Sequence, residues 1–115
     1  QKEIGNEGVL AIHVDERETF AVVIGARDGK TFPGATHFEK SGGDWEMQMG
    51  TSCDGISASL GIAGDLAIYC GSFNAERPYT KATVGTDTAK VIDLGGGSKV
   101  WYVVSQRGQK AQFSN

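Results

Sequence analysis

The sequence has few of the residues that stiffen or cross-link a chain, and it has no long apolar run. Of its 115 residues, 2 are proline and 2 are cysteine. No stretch approaches the roughly 18 consecutive apolar residues that a membrane-spanning helix needs. The sequence also lacks an Asn-x-Ser/Thr site, so N-glycosylation gives no support for a eukaryotic secretory route. We therefore expect a protein without a membrane span.

A strong excess of charge is missing as well. The formal net charge is −3 at pH 7. Residues 76–115 carry more basic than acidic side chains, but the basic ones are evenly spaced along the chain. A nucleic-acid-binding surface normally shows a stronger and more clustered positive charge. We therefore expect no nucleic-acid partner.

The length and composition are those of one soluble domain. A chain of 115 residues with 39% apolar and 22% charged side chains can bury a core of its own. Its 17 glycines are spread along short apolar runs, which favours a turn-rich β protein. We predict that residues 1–115 form a single all-β domain. The chain begins with Gln1, which suggests that a signal peptide, another domain or a tag was removed.

Short apolar runs predict roughly eight to ten strands with turns about every 8–12 residues, a pattern typical of an antiparallel β-sandwich or small barrel. Residues 8–14 and 20–26 predict a hairpin, because two short apolar runs, the second rich in β-branched residues, are joined by a short charged turn. A helix over residues 9–24 is the competing interpretation, since some apolar residues there fall at helical spacing. Residues 89–94 and 99–106 predict a second hairpin across a glycine-rich tip.

Residues 44–73 predict a three-stranded meander with one apolar face. Strict alternation puts Trp45, Met47 and Met49 on that face and therefore in the core. A turn at Asp54-Gly55 would pair residues 47–53 with 56–62. A loop at 63–65 would then pair three positions across the next two strands, namely Ile62 with Leu66, Leu60 with Ile68, and Ala58 with Cys70.

The two cysteines predict one disulfide, Cys53–Cys70, worth about 3 kcal/mol in the chain-entropy model. The meander conflicts with it, because strands two apart lie about 9.5 Å from each other and a disulfide needs Cα atoms within about 7 Å. Either the middle segment is not a strand between them, or the third strand joins another sheet, or both thiols are free. A disulfide would indicate a secreted or periplasmic location. Two cysteines without C-x-x-C spacing do not predict a metal site.

Four residues are candidates for binding a partner. Arg77 and Tyr79 lie in the polar connection over residues 72–80, the best candidate for an exposed functional loop. Trp101 and Tyr102 are adjacent, so one ring should face away from the core if they lie on a strand. Exposed Tyr, Trp and Arg are typical binding anchors, and exposed rings can also stack on sugars. The alternative is that these rings are covered by the domain itself.

Two histidines are the only residues that suggest metal or acid–base chemistry. His13 alternates with Asp15, and His37 alternates with Glu39. If their strands met, two imidazoles and two carboxylates would suit zinc or another divalent transition metal. Such histidines more often end a strand or face solvent beside a charged neighbour.

No catalytic constellation emerges from these patterns, and we expect no cofactor. We predict a small exported binding module that acts through protein–protein recognition, as inhibitors, adhesins and effectors do. A carbohydrate-binding module that uses the exposed aromatic rings is the first alternative. A small hydrolase or metal-binding protein that uses His13 or His37 is the second.

Overall fold

The protein consists of antiparallel strands arranged in three sheets. The computed structural model describes residues 3–4, 9–27, 33–53, 55–62, 64–95 and 97–115. Within these ranges there are twelve strands and no helix, which confirms the all-β class. Correspondingly, no helix that could cross a membrane occurs in the described part of the chain.

Contacts along the chain group into two compact units, Gln1–Ser52 and Cys53–Asn115. The first contains one five-stranded sheet, and the second contains a four-stranded and a three-stranded sheet. That residues 1–115 form a single domain stays a prediction. Each unit is described by itself below.

The first unit is a continuous meander in which each strand pairs with the next one in sequence. Its strands are β1 (Glu3–Ile4), β2 (Val9–Glu16), β3 (Phe20–Arg27), β4 (Pro33–Ser41) and β5 (Asp44–Ser52). The β2–β3 hairpin confirms the strand interpretation over the helical one. Pro33 is the first residue of β4. Proline has no N–H group to donate to a neighbouring strand, so within sheets it is found mostly at such terminal positions. Residues 28–32 lie outside the described ranges.

An extra residue in β5 decides which side chains share a face of this sheet. His37 lies opposite Met49, but Phe38 lies opposite Met47, so Gln48 has no partner on β4. Such a β-bulge reverses the alternation of the strand beyond it. The residues therefore divide between a His37 face (His13, Asp15, Val22, Ile24, Ala35, His37, Glu39, Asp44, Glu46, Met49 and Thr51) and a Phe38 face (Val14, Glu16, Ala21, Val23, Thr36, Phe38, Lys40, Trp45 and Met47).

The second unit begins with the strand pair that the sequence predicted most specifically. Strand β6 (Ala58–Gly61) pairs with β7 (Leu66–Phe73), and Leu60 lies opposite Ile68. Ala58 lies opposite Cys70, and the Ile62 N–H donates to the Leu66 carbonyl at 3.0 Å. These pairings confirm the predicted register. The register is well specified, since a slip by one residue would move every apolar side chain to the other face.

The remaining strands of the second unit complete two sheets. Strands β10 (Lys90–Gly95) and β11 (Ser98–Gln106) form the predicted hairpin, and β11 also pairs with β7. The other sheet consists of β8 (Lys81–Val84), β9 (Asp87–Thr88) and β12 (Ala111–Ser114). Gly85 turns the chain between β8 and β9 with a φ of 62°, a value that favours glycine.

The core of the second unit draws side chains from both of its sheets. Tyr69, Phe73, Trp101 and Val103 come from β7 and β11, while Ala82 and Val84 come from β8. The ring of Phe113 on β12 packs edge-on against Trp101, with the ring centroids 5.7 Å apart. This arrangement gives the second unit the two-layer construction of a small sandwich.

Cys53 and Cys70 can bond because β5 and β6 do not form the predicted hairpin. Cys53 and Cys70 are bonded, with their Cα atoms 5.3 Å apart. The pairing predicted between residues 47–53 and 56–62 is wrong, because β5 pairs with β4 in the first unit. Cys53 therefore follows the end of a strand rather than lying within the meander, which removes the geometric conflict. Asp54, in the predicted turn, lies outside the described residues.

Candidate functional site

The adjacent rings of Trp101 and Tyr102 are both buried, with exposed fractions of 0% and 5%. They lie on β11, which has β10 on one side and β7 on the other. Trp101 faces the core of the second unit, and Tyr102 takes the opposite face at the position across from Cys70. Alternation on a strand thus holds, since the two rings take opposite faces, and the alternative that the domain itself covers both rings is the one observed.

Tyr79 is the exposed member of the predicted aromatic set, with 38% of its surface accessible. Its ring nevertheless packs against Phe73 and Phe113, with centroid distances of 6.1 and 5.6 Å. The ring is therefore held at the rim of the aromatic core and presents only part of its surface.

Arg77 belongs to a tight turn rather than to an open loop. Its N–H donates to the backbone carbonyl of Asn74 at 3.0 Å, and its Nε donates to the Ser72 carbonyl at 3.4 Å. Half-buried and held in this way, Arg77 stabilises the start of the connection between β7 and β8. Whether Arg77, Tyr79, Trp101 and Tyr102 bind a partner stays a prediction.

The two histidines share the His37 face but lie on strands that are separated by β3. His13 is opposite Ile24, and His37 is opposite Val22. Asp15, on the strand of His13, forms an ion pair with Arg17 at 3.1 Å. Within the described ranges, no group of three or more His, Cys, Asp or Glu residues is placed to hold a metal ion. The arrangement imagined from the sequence, with the two strands in contact, is therefore not formed.

His37 is a buried histidine with an unusual environment. Its ring packs edge-on against Phe20 at 5.9 Å, and its Nε2 has no hydrogen-bond partner. That nitrogen lies 3.7 Å from the Glu39 carboxylate. Burial lowers the pKa of His37 below its ordinary value of 6.5, and the Glu39 charge opposes this shift. His37 is therefore neutral at pH 7 and does not cancel the charge of Glu39.

The largest group of exposed apolar side chains lies on β5, where the sequence had placed a core strand. Trp45, Met47 and Met49 are 37%, 53% and 61% exposed. Among the described strands, β5 pairs with β4 alone, so it forms an edge of the five-stranded sheet. The prediction that Trp45 belongs to the core is wrong, because β5 is an edge strand on which Trp45 is exposed rather than a strand of the predicted apolar meander.

The bulge at Gln48 divides these apolar side chains between the two faces. Trp45 and Met47 lie on the Phe38 face, where Trp45 is opposite Lys40. The Lys40 ammonium is 5.7 Å from the centre of the Trp45 ring, within range of a cation–π contact. Met49 lies on the His37 face. Both faces of the edge are therefore apolar in part.

Carboxylates alternate with the apolar side chains along the first half of this edge strand. Asp44 and Glu46 lie on the His37 face, and Glu46 is directly opposite Glu39. Like charges that face each other across two strands are destabilising. In the part of the chain that the structure describes, the basic group found beside this pair is His37, whose Nε2 lies 3.7 Å from the Glu39 carboxylate. Because His37 is neutral at pH 7, it does not offset the two negative charges. We call strand β5 (Asp44–Ser52) together with Glu39 on β4 the β5 edge.

The β5 edge was missed because its sequence alternates as a buried strand does. Trp45, Met47 and Met49 occur at every second position, which usually indicates a half-buried strand. A usable signal was the pair of acidic residues, Asp44 and Glu46, interleaved with them. Charged residues are typical of edge strands.

Comparison with known proteins gives no relative for this chain. It matches no protein-family model, no curated protein and no solved structure.

Proposed function

We propose that this chain is a binding module that recognises another protein through the β5 edge. The observation that carries the proposal is the exposure of Trp45, Met47 and Met49 on one edge strand. Tryptophan and methionine are enriched at protein interfaces and are costly to leave in water. An edge strand also has unpaired backbone groups that can accept an additional strand.

The disulfide supports an exported location for this activity. Cys53 and Cys70 are both fully buried and bonded to each other. Structural disulfides are rare in the cytosol and common in secreted or periplasmic proteins. We therefore propose that the module meets its partner in an oxidising compartment.

The alternative functions have less support. A carbohydrate-binding module would use the flat faces of exposed rings, but Trp101 and Tyr102 are buried and Tyr79 leans against Phe73. A hydrolase or metal protein would use His13 or His37, which lie on strands either side of β3. The protein-binding proposal uses side chains that are already at the surface.

Site-specific cross-linking tests the proposal. A photoreactive amino acid replaces Met49, and the purified chain is incubated with the extracellular or periplasmic fraction of its source. Thr86, exposed in the turn between β8 and β9, is the control position. We expect one protein to be cross-linked from position 49 and not from position 86.

The captured protein is then purified, and its affinity is measured by calorimetry. We expect Trp45→Ala to weaken binding about thirtyfold, the effect of losing a strong interface anchor. Val14→Ala, at an exposed apolar residue on β2, serves as the control and should change the affinity less than about twofold. Equal binding by wild type and Trp45→Ala, or cross-linking from both positions, would contradict the proposal.

A further inference from the structure

The chemistry of the two faces of the β5 edge specifies what kind of strand can pair with it. Over the four residues before the bulge, Asp44 and Glu46 lie on the His37 face, while Trp45 and Met47 lie on the Phe38 face. Residues directly opposite each other in paired strands share a face. An added strand therefore meets carboxylates on one face and apolar side chains on the other.

The His37 face of the edge has an excess of negative charge. Glu39 and Glu46 are directly opposite each other, and Asp44 lies two residues from Glu46 on the same face. The neighbouring His37 has a buried Nε2 without a hydrogen-bond partner, 3.7 Å from the Glu39 carboxylate. A cation beside this pair would relieve the like-charge repulsion, since opposite charges across strands stabilise a sheet.

The same arrangement argues against a second copy of this chain as the partner. If two β5 strands paired antiparallel over these four residues, acidic positions would face acidic positions in each symmetric register. Asp44 would lie opposite Glu46, or Glu46 would lie opposite its own copy. Such contacts are destabilising, and charges of this kind are a common protection against self-association through edges.

We propose that the β5 edge binds an extended segment of a partner protein in which basic and apolar side chains alternate. The basic side chains lie beside Asp44 and Glu46, and the apolar ones cover Trp45 and Met47. The bulge at Gln48 ends the regular pairing, so the specified core of the segment is four residues long. This inference rests on the proposed function and adds to it the chemistry of the partner.

The two methionines provide a direct test in the intact chain of residues 1–115. Both methionines of the sequence, Met47 and Met49, lie on β5, so two methyl NMR signals report on this edge alone. The probe is an eight-residue peptide of alternating Lys and Val with blocked ends. One control peptide has the same residues in two blocks, and another replaces Lys with Glu. We expect the alternating basic peptide to shift both methyl signals and to bind about fivefold or more tightly than either control.

Charge-reversal variants locate the binding. Glu46→Lys should weaken the alternating Lys-Val peptide about fivefold or more and improve the Glu-Val peptide. Glu76→Lys makes the same charge change at an exposed turn of the second unit and should leave both affinities within about twofold. Salt should weaken the Lys-Val complex, because the pairs are exposed to solvent.

The results separate this inference from the proposed function. Equal or tighter binding of a control peptide, no binding of any peptide, or an unchanged affinity in Glu46→Lys would overturn the inference. Cross-linking from position 49 and the loss of affinity in Trp45→Ala would then still support a protein partner of different chemistry. If those also failed, the proposed function itself would be wrong.

Discussion

Gly71 and Trp101 lie directly opposite each other on β7 and β11, and the missing side chain of one makes room for the ring of the other. A Cβ atom at Gly71 would lie 2.7 Å from the indole Nε1 and would overlap the backbone carbonyl of Ile56. Because Gly71 has no side chain, the segment after Cys53 can cross close above β7 at Ile56. The buried tryptophan and the disulfide-linked segment depend on the same gap.

Gly71→Ala should therefore destabilise the protein. A methyl group here must displace the backbone at Ile56, and overpacking of this kind costs about 1–3 kcal/mol. Urea unfolding followed by tryptophan fluorescence measures the change. Gly55→Ala is the matched control, since a Cβ atom there meets nothing within 4 Å. Equal stability of the two variants would show that the chain relaxes around Gly71.

Tyr69→Phe should also reduce stability, because the buried hydroxyl joins two backbone groups. It donates to the Gln106 carbonyl at 2.6 Å and accepts from the Gln109 N–H at 3.1 Å. Removing it leaves both groups without their partner, which costs about 1–3 kcal/mol. Tyr79→Phe, at an exposed ring, should change the free energy of unfolding by less than about 0.5 kcal/mol. The same loss in both variants would contradict the role assigned to Tyr69.

Loss of the disulfide should cost about 3 kcal/mol, since the bond closes a loop between residues 17 apart in sequence. The double variant Cys53→Ala/Cys70→Ala is compared with wild type by urea unfolding without reductant. Addition of a reductant should bring wild type close to the double variant and leave the double variant unchanged. Thiol titration of unfolded wild type should detect no free thiol, and two thiols would show that the bond does not form.

His37 should make the stability of the protein depend on pH. Burial lowers the pKa of His37 in the folded state below 6.5, so below that pH the unfolded chain binds protons more readily. This contribution to stability is complete above about pH 6.5 and is lost as the pH falls through the lower, folded-state pKa. The charged groups on the same face are Glu39 beside the ring, Glu46 and Asp44 on the neighbouring strand β5, and Asp15, paired with Arg17, two strands away.

Melting temperatures at about pH 7.5 and 5.5 bracket the range in which histidine titrates. We expect a smaller loss between these values in His37→Gln than in wild type. His13→Gln, which leaves His37 in place, should keep the loss seen in wild type. If all three proteins lost the same amount, another group would be responsible.

The sequence predicted several strand pairings whose two partners are close together in the chain. The register of β6 and β7 followed from alternating apolar residues on either side of a short loop, as did the hairpin of β10 and β11. In both, the partners are close in sequence, so pairing them costs little chain entropy. For β5 two short turns competed: the strand pairs with β4 across Gly42-Gly43 rather than with the predicted partner at residues 56–62, and alternation alone did not decide between them.

The candidate site could not be predicted, since it depends on what lies beside a strand rather than on the strand itself. Trp45 lies on an edge strand and Trp101 on a central one. The continuous apolar run around Trp101 is typical of a strand covered on both faces, whereas the alternating run around Trp45 does not show what lies beside the strand. The extra residue at Gln48 then reversed the alternation, which a period of two in the sequence does not reveal.

The sequence by itself determined the all-β class and the hairpins β2–β3, β6–β7 and β10–β11, and it left open whether Cys53 and Cys70 are bonded. These follow from residue preferences and short-range alternation, which act within a few residues of the chain. The tertiary structure alone decided that β5 joins the first sheet, that Cys53 lies beyond its end and that Trp45 is exposed. Those features depend on which of the two short turns flanking β5 closes a hairpin and on what then lies beside the strand, and neither leaves a period in the sequence.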